Sequence, residues 1–387
     1  MKKIILITLL SSILLLFSIA PIFTPDKSPS LSAISPTIKA NGVLTDEITI
    51  SADKAILIEK ETGFVLYSKN PDSPCGMAST TKIMTAIVIL ENMNLTDEIT
   101  ATKDCVGIEG SSIYLAEGEI FTVESLLYGL LLESGNDAAT ALAIGMSKSV
   151  ENFSKAMNSF AKKLGMTNSN FANPHGLSDE KHYTTARDLA ILSSYAMENE
   201  TFRKIVSTQK TIIKPINGEN VRYCTNHNKL LGTYEGLTGI KTGYTKADGK
   251  CLVTSAIQDD TELICVTLNG ADNWNDHKTL LSKGFEKFKK RTLAKKGEYA
   301  FEISVVGGIK NFVIASNSSD IILPIPENEK LEFKVVMPPF VYSPIKIGDL
   351  IGEVRIYCSQ GLIYSFPLRA ENNVEVKKVS FFKKIFG

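Results

Sequence analysis

From Lys82 to Leu90 the chain reads Lys-Ile-Met-Thr-Ala-Ile-Val-Ile-Leu, with almost no polar face. Wound at 3.6 residues per turn, such a stretch is a helix buried on all sides, so other elements must enclose it. At 387 residues, 44% apolar and 22% charged, the chain is long enough for large cores and two domains. The lysine that opens the stretch is carried into a poorly solvated place, which disfavours its charged form. Ser79 lies three residues earlier, on the same helical face. A serine hydroxyl is a poor nucleophile near neutral pH unless a base takes its proton, and a lysine of depressed pKa can be that base.

The Ser-x-x-Lys spacing alone decides nothing, because it recurs at Ser51, Ser159, Ser178, Ser207, Ser343 and Ser380. A serine before a helix is also a good N-cap. Other chemistries find less support. Lys plus Arg and Asp plus Glu both number 42, so no basic field argues for nucleic acid. The four histidines and six cysteines show no Cys-x-x-Cys or His-x-x-x-His spacing, so neither a metal nor any other cofactor is expected. Scattered cysteines in a chain of this size read as mostly free thiols, and Cys75, though near Ser79, lacks an adjacent base. His175, His182, His227 and His277 are isolated and read as hydrogen-bonded structural residues.

Met1-Lys2-Lys3 and the apolar run from Ile4 to Ala20 resemble a secretory signal, retained or cleaved, and a Ser/Pro-rich linker follows. A hairpin is expected from Lys54–Glu59 and Phe64–Lys69 around Glu61-Thr62-Gly63. Thr122 and Thr185 read as N-caps of amphipathic helices, and Val150 to Leu164 as another helix. Ser134-Gly135-Asn136 falls in a tight connection between two apolar helices. Three strands, Gly236–Gly243, Cys251–Ile257 and Leu263–Leu268, form a meander. Glycines on both sides of Lys241 suggest close approach by a ligand, with Lys241 and Thr242 offering a cation and a hydroxyl to an anion, although a lysine on an edge strand also discourages aggregation.

A helix is expected from Trp274 to Lys290, then short alternating segments suggesting a small β-sandwich. The tail places Lys377, Lys378, Lys383 and Lys384 among Val379, Phe381, Phe382, Ile385 and Phe386, a composition suited to an anionic membrane surface. The layout expected is signal and linker over 1–40, a catalytic domain over 41–293, a β-rich domain over 298–370 and a basic tail over 371–387.

Unlike Ser-x-x-Lys, the triplets Ser134-Gly135-Asn136 and Lys241-Thr242-Gly243 each occur once, and both follow Ser79 in order. Ser-x-x-Lys, Ser-x-Asn and Lys-Thr-Gly are together the motif set of penicillin-binding proteins and serine β-lactamases. Over about residues 45–290 the chain resembles the low-molecular-mass penicillin-binding proteins that act as D-alanyl-D-alanine carboxypeptidases. The resemblance implies an α/β (α+β) fold, a serine DD-peptidase domain with a mainly antiparallel sheet flanked by helices. It also implies an extracytoplasmic enzyme acting on peptidoglycan stem peptides and acylated by β-lactams. Ser79 would be the nucleophile, Lys82 its base and Ser134 a proton relay. Asn136, Lys241, Thr242 and Gly243 would bind substrate, and the backbone amides of Ser79 and Tyr244 would form the oxyanion hole. The middle triplet departs from Ser-Asp-Asn, and no Glu-x-x-Leu-Asn segment lies between Asn136 and Lys241, which disfavours fast β-lactam hydrolysis. A β-lactam sensor using the same acylation site is the other alternative.

Overall fold

The computed structural model describes residues 38, 42–43 and 48–378. The signal-like stretch and the tail beyond Lys378 lie outside these residues.

Strands β1 (Lys54–Glu59) and β2 (Val65–Lys69) form the expected hairpin. A 3-10 turn (Ala78–Thr81) leads into α1 (Lys82–Asn92). The short pair β3 (Glu98–Thr100) and β4 (Ile120–Thr122) follows, then α2 (Val123–Leu131), α3 (Asn136–Ser147) and α4 (Val150–Leu164). After these come α5 (Ala186–Ala196), α6 (Glu200–Ser207) and the ribbon β5 (Lys210–Ile213) with β6 (Arg222–Thr225). The meander is β7 (Leu237–Thr245), β8 (Gly249–Gln258) and β9 (Thr261–Leu268), followed by α7 (Asn273–Lys287). Together these strands make a five-stranded antiparallel sheet in the order β2-β1-β9-β8-β7.

Period-two alternation sends each strand to two cores. Ile56, Ile58, Ile264 and Val266 join the large helical core, whereas Ala55, Leu57, Leu263 and Cys265 pack with Leu280 and Leu281 of α7. Helices therefore cover both sheet faces. Within the helical layer α1 is enclosed by the helices around it, and every residue from Lys82 to Ile89 is buried. The side chains of Thr122 and Thr185 accept hydrogen bonds from the amides of Ser125 and Asp188, as N-caps do.

The helix expected to reach Lys290 stops at Lys287, and the basic run continues as β10 (Phe288–Ala294). Phe288 is the reason: its ring packs edge-on to Phe64, centroids 5.9 Å apart, and the strand pairs with β13 (Ile321–Pro326). Residues from 288 onward are thus tied by pairing to the C-terminal half. There β11 (Ala300–Val306), β12 (Phe312–Ser316), β14 (Glu332–Val336), β15 (Phe340–Tyr342), β16 (Leu350–Cys358) and β17 (Gly361–Ala370) form a six-stranded sheet. Its order is β14-β16-β17-β12-β11-β15, and it shares one core, including Val313, Val354 and Phe366, with Leu323 and Ile325 of the ribbon. At the β16–β17 turn the Gln360 side chain donates to the Val65 carbonyl and accepts from its amide, both at 2.8 Å, covering the free edge of β2.

Candidate active site

Ser79 sits in the 3-10 turn, and its side chain caps no backbone amide. The ordinary N-cap role open to a serine before a helix is therefore not the one it plays. Its Oγ lies 3.0 Å from Nζ of Lys82. The lysine is fully buried, and Nζ makes two shorter contacts, 2.6 Å to the His175 carbonyl and 2.7 Å to Oδ1 of Asn136. Both of those atoms only accept. A neutral amine spends its two N–H bonds on them and turns its lone pair to the third neighbour, the Ser79 hydroxyl. Burial, reinforced by the charge of Lys241 and opposed by Asp137, holds the Lys82 pKa well below the ordinary lysine value. Among the described residues no carboxylate hydrogen-bonds to Ser79 or Lys82, so the neutral form is not undone by an ion pair.

Asn136, the first residue of α3, is also held at its other end, where Nδ2 donates to the Glu109 carbonyl at 2.5 Å. Asp137 fixes the loop above it, accepting from the amides of Ile113 and Leu115 and from the Ser112 hydroxyl. Ser134 adopts a left-handed φ of 61°, and its buried Oγ has no hydrogen-bond partner. A buried hydroxyl left unpartnered costs free energy, the kind of cost that functional sites retain.

Strand β7 runs past the catalytic turn as the sheet edge. Gly243 lies against it so closely that an added Cβ would stand 3.0 Å from the Ser79 amide and 3.1 Å from that of Thr80. Only a residue without Cβ lets backbone and turn meet here. Tyr244 follows directly, with its side chain exposed. Lys241 is not the exposed edge lysine that guards against aggregation; it is buried, and its Nζ donates to the Thr242 carbonyl at 3.0 Å. Burial lowers its pKa to about 7, against the opposing pull of Glu133. Thr242 is half-buried beside it.

The family model described as D-alanyl-D-alanine carboxypeptidase matches residues 40–272. The chain belongs to the D-alanyl-D-alanine carboxypeptidase family. A second family model, the C-terminal domain of penicillin-binding protein 5, matches residues 288–376. The carboxypeptidase DacF of Bacillus subtilis is 30% identical over 92% of this chain and 94% of its own length, and DacC of Escherichia coli is 31% identical over 90% of each. Penicillin-binding protein 5 from Haemophilus influenzae superposes with a TM-score of 0.70 at 29% identity, over 85% of this chain and 98% of that one. As a member of this family the chain is a serine-type carboxypeptidase of low-molecular-mass penicillin-binding protein architecture, with a catalytic α/β half and a C-terminal β half.

Tertiary structure brings Ser79, Lys82 and Asn136 into one hydrogen-bonded group and sets Gly243 against it. Ser134 and Lys241 join through burial and charge, not through a bond to that group. Several contributors escaped the sequence reading. Pro174 and His175 give carbonyls to Thr85 and Lys82, and a Cβ on Gly176 would stand 2.0 Å from the Ala78 carbonyl, so this loop is pressed onto the catalytic turn. Asp248 accepts from the Ala78 amide, and Glu133 faces His227 at 3.4 Å. None of these carries a spacing signal, since loops reach the site by packing. His175, whose ring burial drives down to about 3, is no proton acceptor at neutral pH; it serves through its backbone.

Proposed function

We propose that the enzyme removes the terminal D-Ala of peptidoglycan stem pentapeptides through an acyl-enzyme on Ser79. The lone pair that Lys82 directs at the Ser79 hydroxyl is the observation that carries this reading. Ser79 Oγ attacks the penultimate carbonyl carbon while its proton passes to Lys82 Nζ. The oxyanion so formed is met by the Ser79 and Tyr244 amides, each worth about 3 to 4 kcal/mol of transition-state stabilisation. The Ser79 amide, at the start of a helical segment, has the dipole on its side. As the intermediate collapses the C–N bond breaks, and the leaving D-Ala amine takes a proton relayed from Lys82 by Ser134, whose free hydroxyl suits that task. Water then cleaves the ester and releases the shortened peptide. Lys241 and Thr242 hold the substrate carboxylate, and Asn136 steers Lys82 as well as the substrate amide.

A β-lactam carbonyl is attacked in the same way, but its leaving amine stays tethered through the opened ring, so the label persists. No carboxylate stands at Lys82 to activate a deacylating water, which weighs against a β-lactamase. A sensor would need a transducing segment; among the described residues no helix is long and apolar enough to cross a membrane. The layout places residues 1–40 in export, 41–293 in catalysis, 298–370 in a β-domain and 371–387 on the outer face of the membrane. Substituting Ser79→Ala abolishes both D-Ala release from a stem pentapeptide and labelling by fluorescent penicillin. A labelled mutant would sink the nucleophile assignment, and a wild type that labels but releases no D-Ala would make it a sensor.

A further inference from the structure

The C-terminal sheet buries one face and leaves the other bare. On β11, β12 and β15 the inward residues Ile303, Val305, Val313 and Ala315 are buried in the domain core. The outward residues follow from register: Val306 stands opposite Tyr342, and Ser304 lies between Phe340 and Phe312. With Ile314 two residues on from Phe312, five large apolar side chains share this outer face, each between 36% and 69% exposed. The Phe340 and Tyr342 rings meet edge-to-face with centroids 5.4 Å apart. Solvated faces of antiparallel sheets are ordinarily polar, and a contiguous apolar one marks a contact site.

Three observations say what covers it. Exposed Ile309, Ile347 and Val376 extend the apolar surface at the end of the sheet where Val306, Phe312 and Tyr342 lie. The chain leaves the described residues at this same end: Val376 bridges to Gly308, and the Lys377 amide donates to the Gly307 carbonyl at 2.8 Å. Nine residues remain, including Phe381, Phe382, Lys383, Lys384, Ile385 and Phe386. Finally, Lys310, Lys346, Lys377 and Lys378 stand exposed around this end, and none of the four is in an ion pair among the described residues. An apolar centre with a lysine rim matches the acyl boundary and headgroups of an anionic bilayer. A second copy fits poorly. Face-to-face pairing would bring like-charged rims together, and edge pairing is discouraged because β15 has only three residues with Pro344 soon after.

We propose that the outer face of β11, β12 and β15 is itself a membrane-binding surface for anionic lipid, acting together with the tail. It holds the β-domain against the bilayer with Tyr342 at headgroup depth, where aromatic side chains with one polar end are favoured. This extends the tail contact proposed above and is separable from it.

The test uses the full chain, tail intact, carrying Phe340→Glu and Tyr342→Glu, in co-sedimentation with vesicles of phosphatidylglycerol and phosphatidylcholine. The lipid concentration for half-binding rises at least about tenfold, while penicillin labelling is unchanged, which confirms the fold. In a separate Tyr342→Trp variant the added indole emission shifts to the blue with these vesicles and not with phosphatidylcholine alone. Half-binding within about twofold of wild type, or no shift, overturns the proposal and leaves the tail as sole anchor. A Glu variant that turns a dimer into a monomer without changing vesicle binding assigns the face to self-association. Because the readout is binding, failure of the peptidase assignment would not affect it.

Discussion

Substituting Asn136→Asp replaces an amide by a carboxylate of the same shape at 2.7 Å from Lys82 Nζ. At an effective dielectric constant of about 20, attraction between that carboxylate and an ammonium is about 6 kcal/mol, a rise of about four units in the lysine pKa. The structure shows that the native site works in the opposite direction, with burial and Lys241 keeping the lysine neutral. The substitution therefore locks Lys82 as a cation at neutral pH, with no lone pair for Ser79. Losing general-base catalysis lowers acylation by about 10² to 10⁴ at pH 7. Since the base is masked and not removed, the rate recovers as pH rises toward the new pKa. The assay is the rate of fluorescent-penicillin labelling across pH, with thermal unfolding as a check, because the Glu109 carbonyl also loses its donor. A rate within about threefold of wild type at pH 7 would refute Lys82 as the base, as would a folded mutant with no alkaline recovery.

Gly243→Ala would push a methyl to 3.0 Å from the Ser79 amide; D-Ala release should fall about 100-fold or more with little change in thermal stability, and near-normal turnover would mean that β7 does not line the reacting carbonyl. Lys241 carries its charge below its pKa of about 7 and loses it above, so kcat/KM for carboxylate-ended peptides should decline on the alkaline side of that value. Lys241→Arg, charged throughout, should remove that alkaline limb; a limb that persists in the variant belongs to another group. Burial raises the Glu59 pKa from 4.5 to about 7, so the folded state holds a proton the unfolded chain has given up. Its contribution to stability is full below about 4.5 and is lost as pH rises through about 7, and urea unfolding should show this slope flattened in Glu59→Gln.

The sequence by itself determined the elements and the chemical set. A helix apolar on all sides around Lys82, caps at Thr122 and Thr185, and the three-strand meander are all written in local periodicity, because burial selects residues at the spacing of the element that is buried. Ser79, the Ser134-Gly135-Asn136 triplet and Lys241-Thr242-Gly243 were legible as a set because each triplet occurs once. The end of α7 was not, since Phe288 is decided by its contact with Phe64 more than two hundred residues away, and neither was α6, whose eight residues give a weak period.

Only tertiary structure decided which of seven Ser-x-x-Lys pairs is chemically live. Ser79 differs from the rest by what folds onto its lysine: the His175 carbonyl, the Asn136 amide oxygen and the nearby charge of Lys241, brought in from three separate segments. A pKa depends on desolvation and on charges within a few ångströms, and sequence spacing encodes neither. The same holds for the bare face of the C-terminal sheet, because whether an alternating strand turns its second set of apolar residues to a core or to the outside depends on what the rest of the chain leaves uncovered.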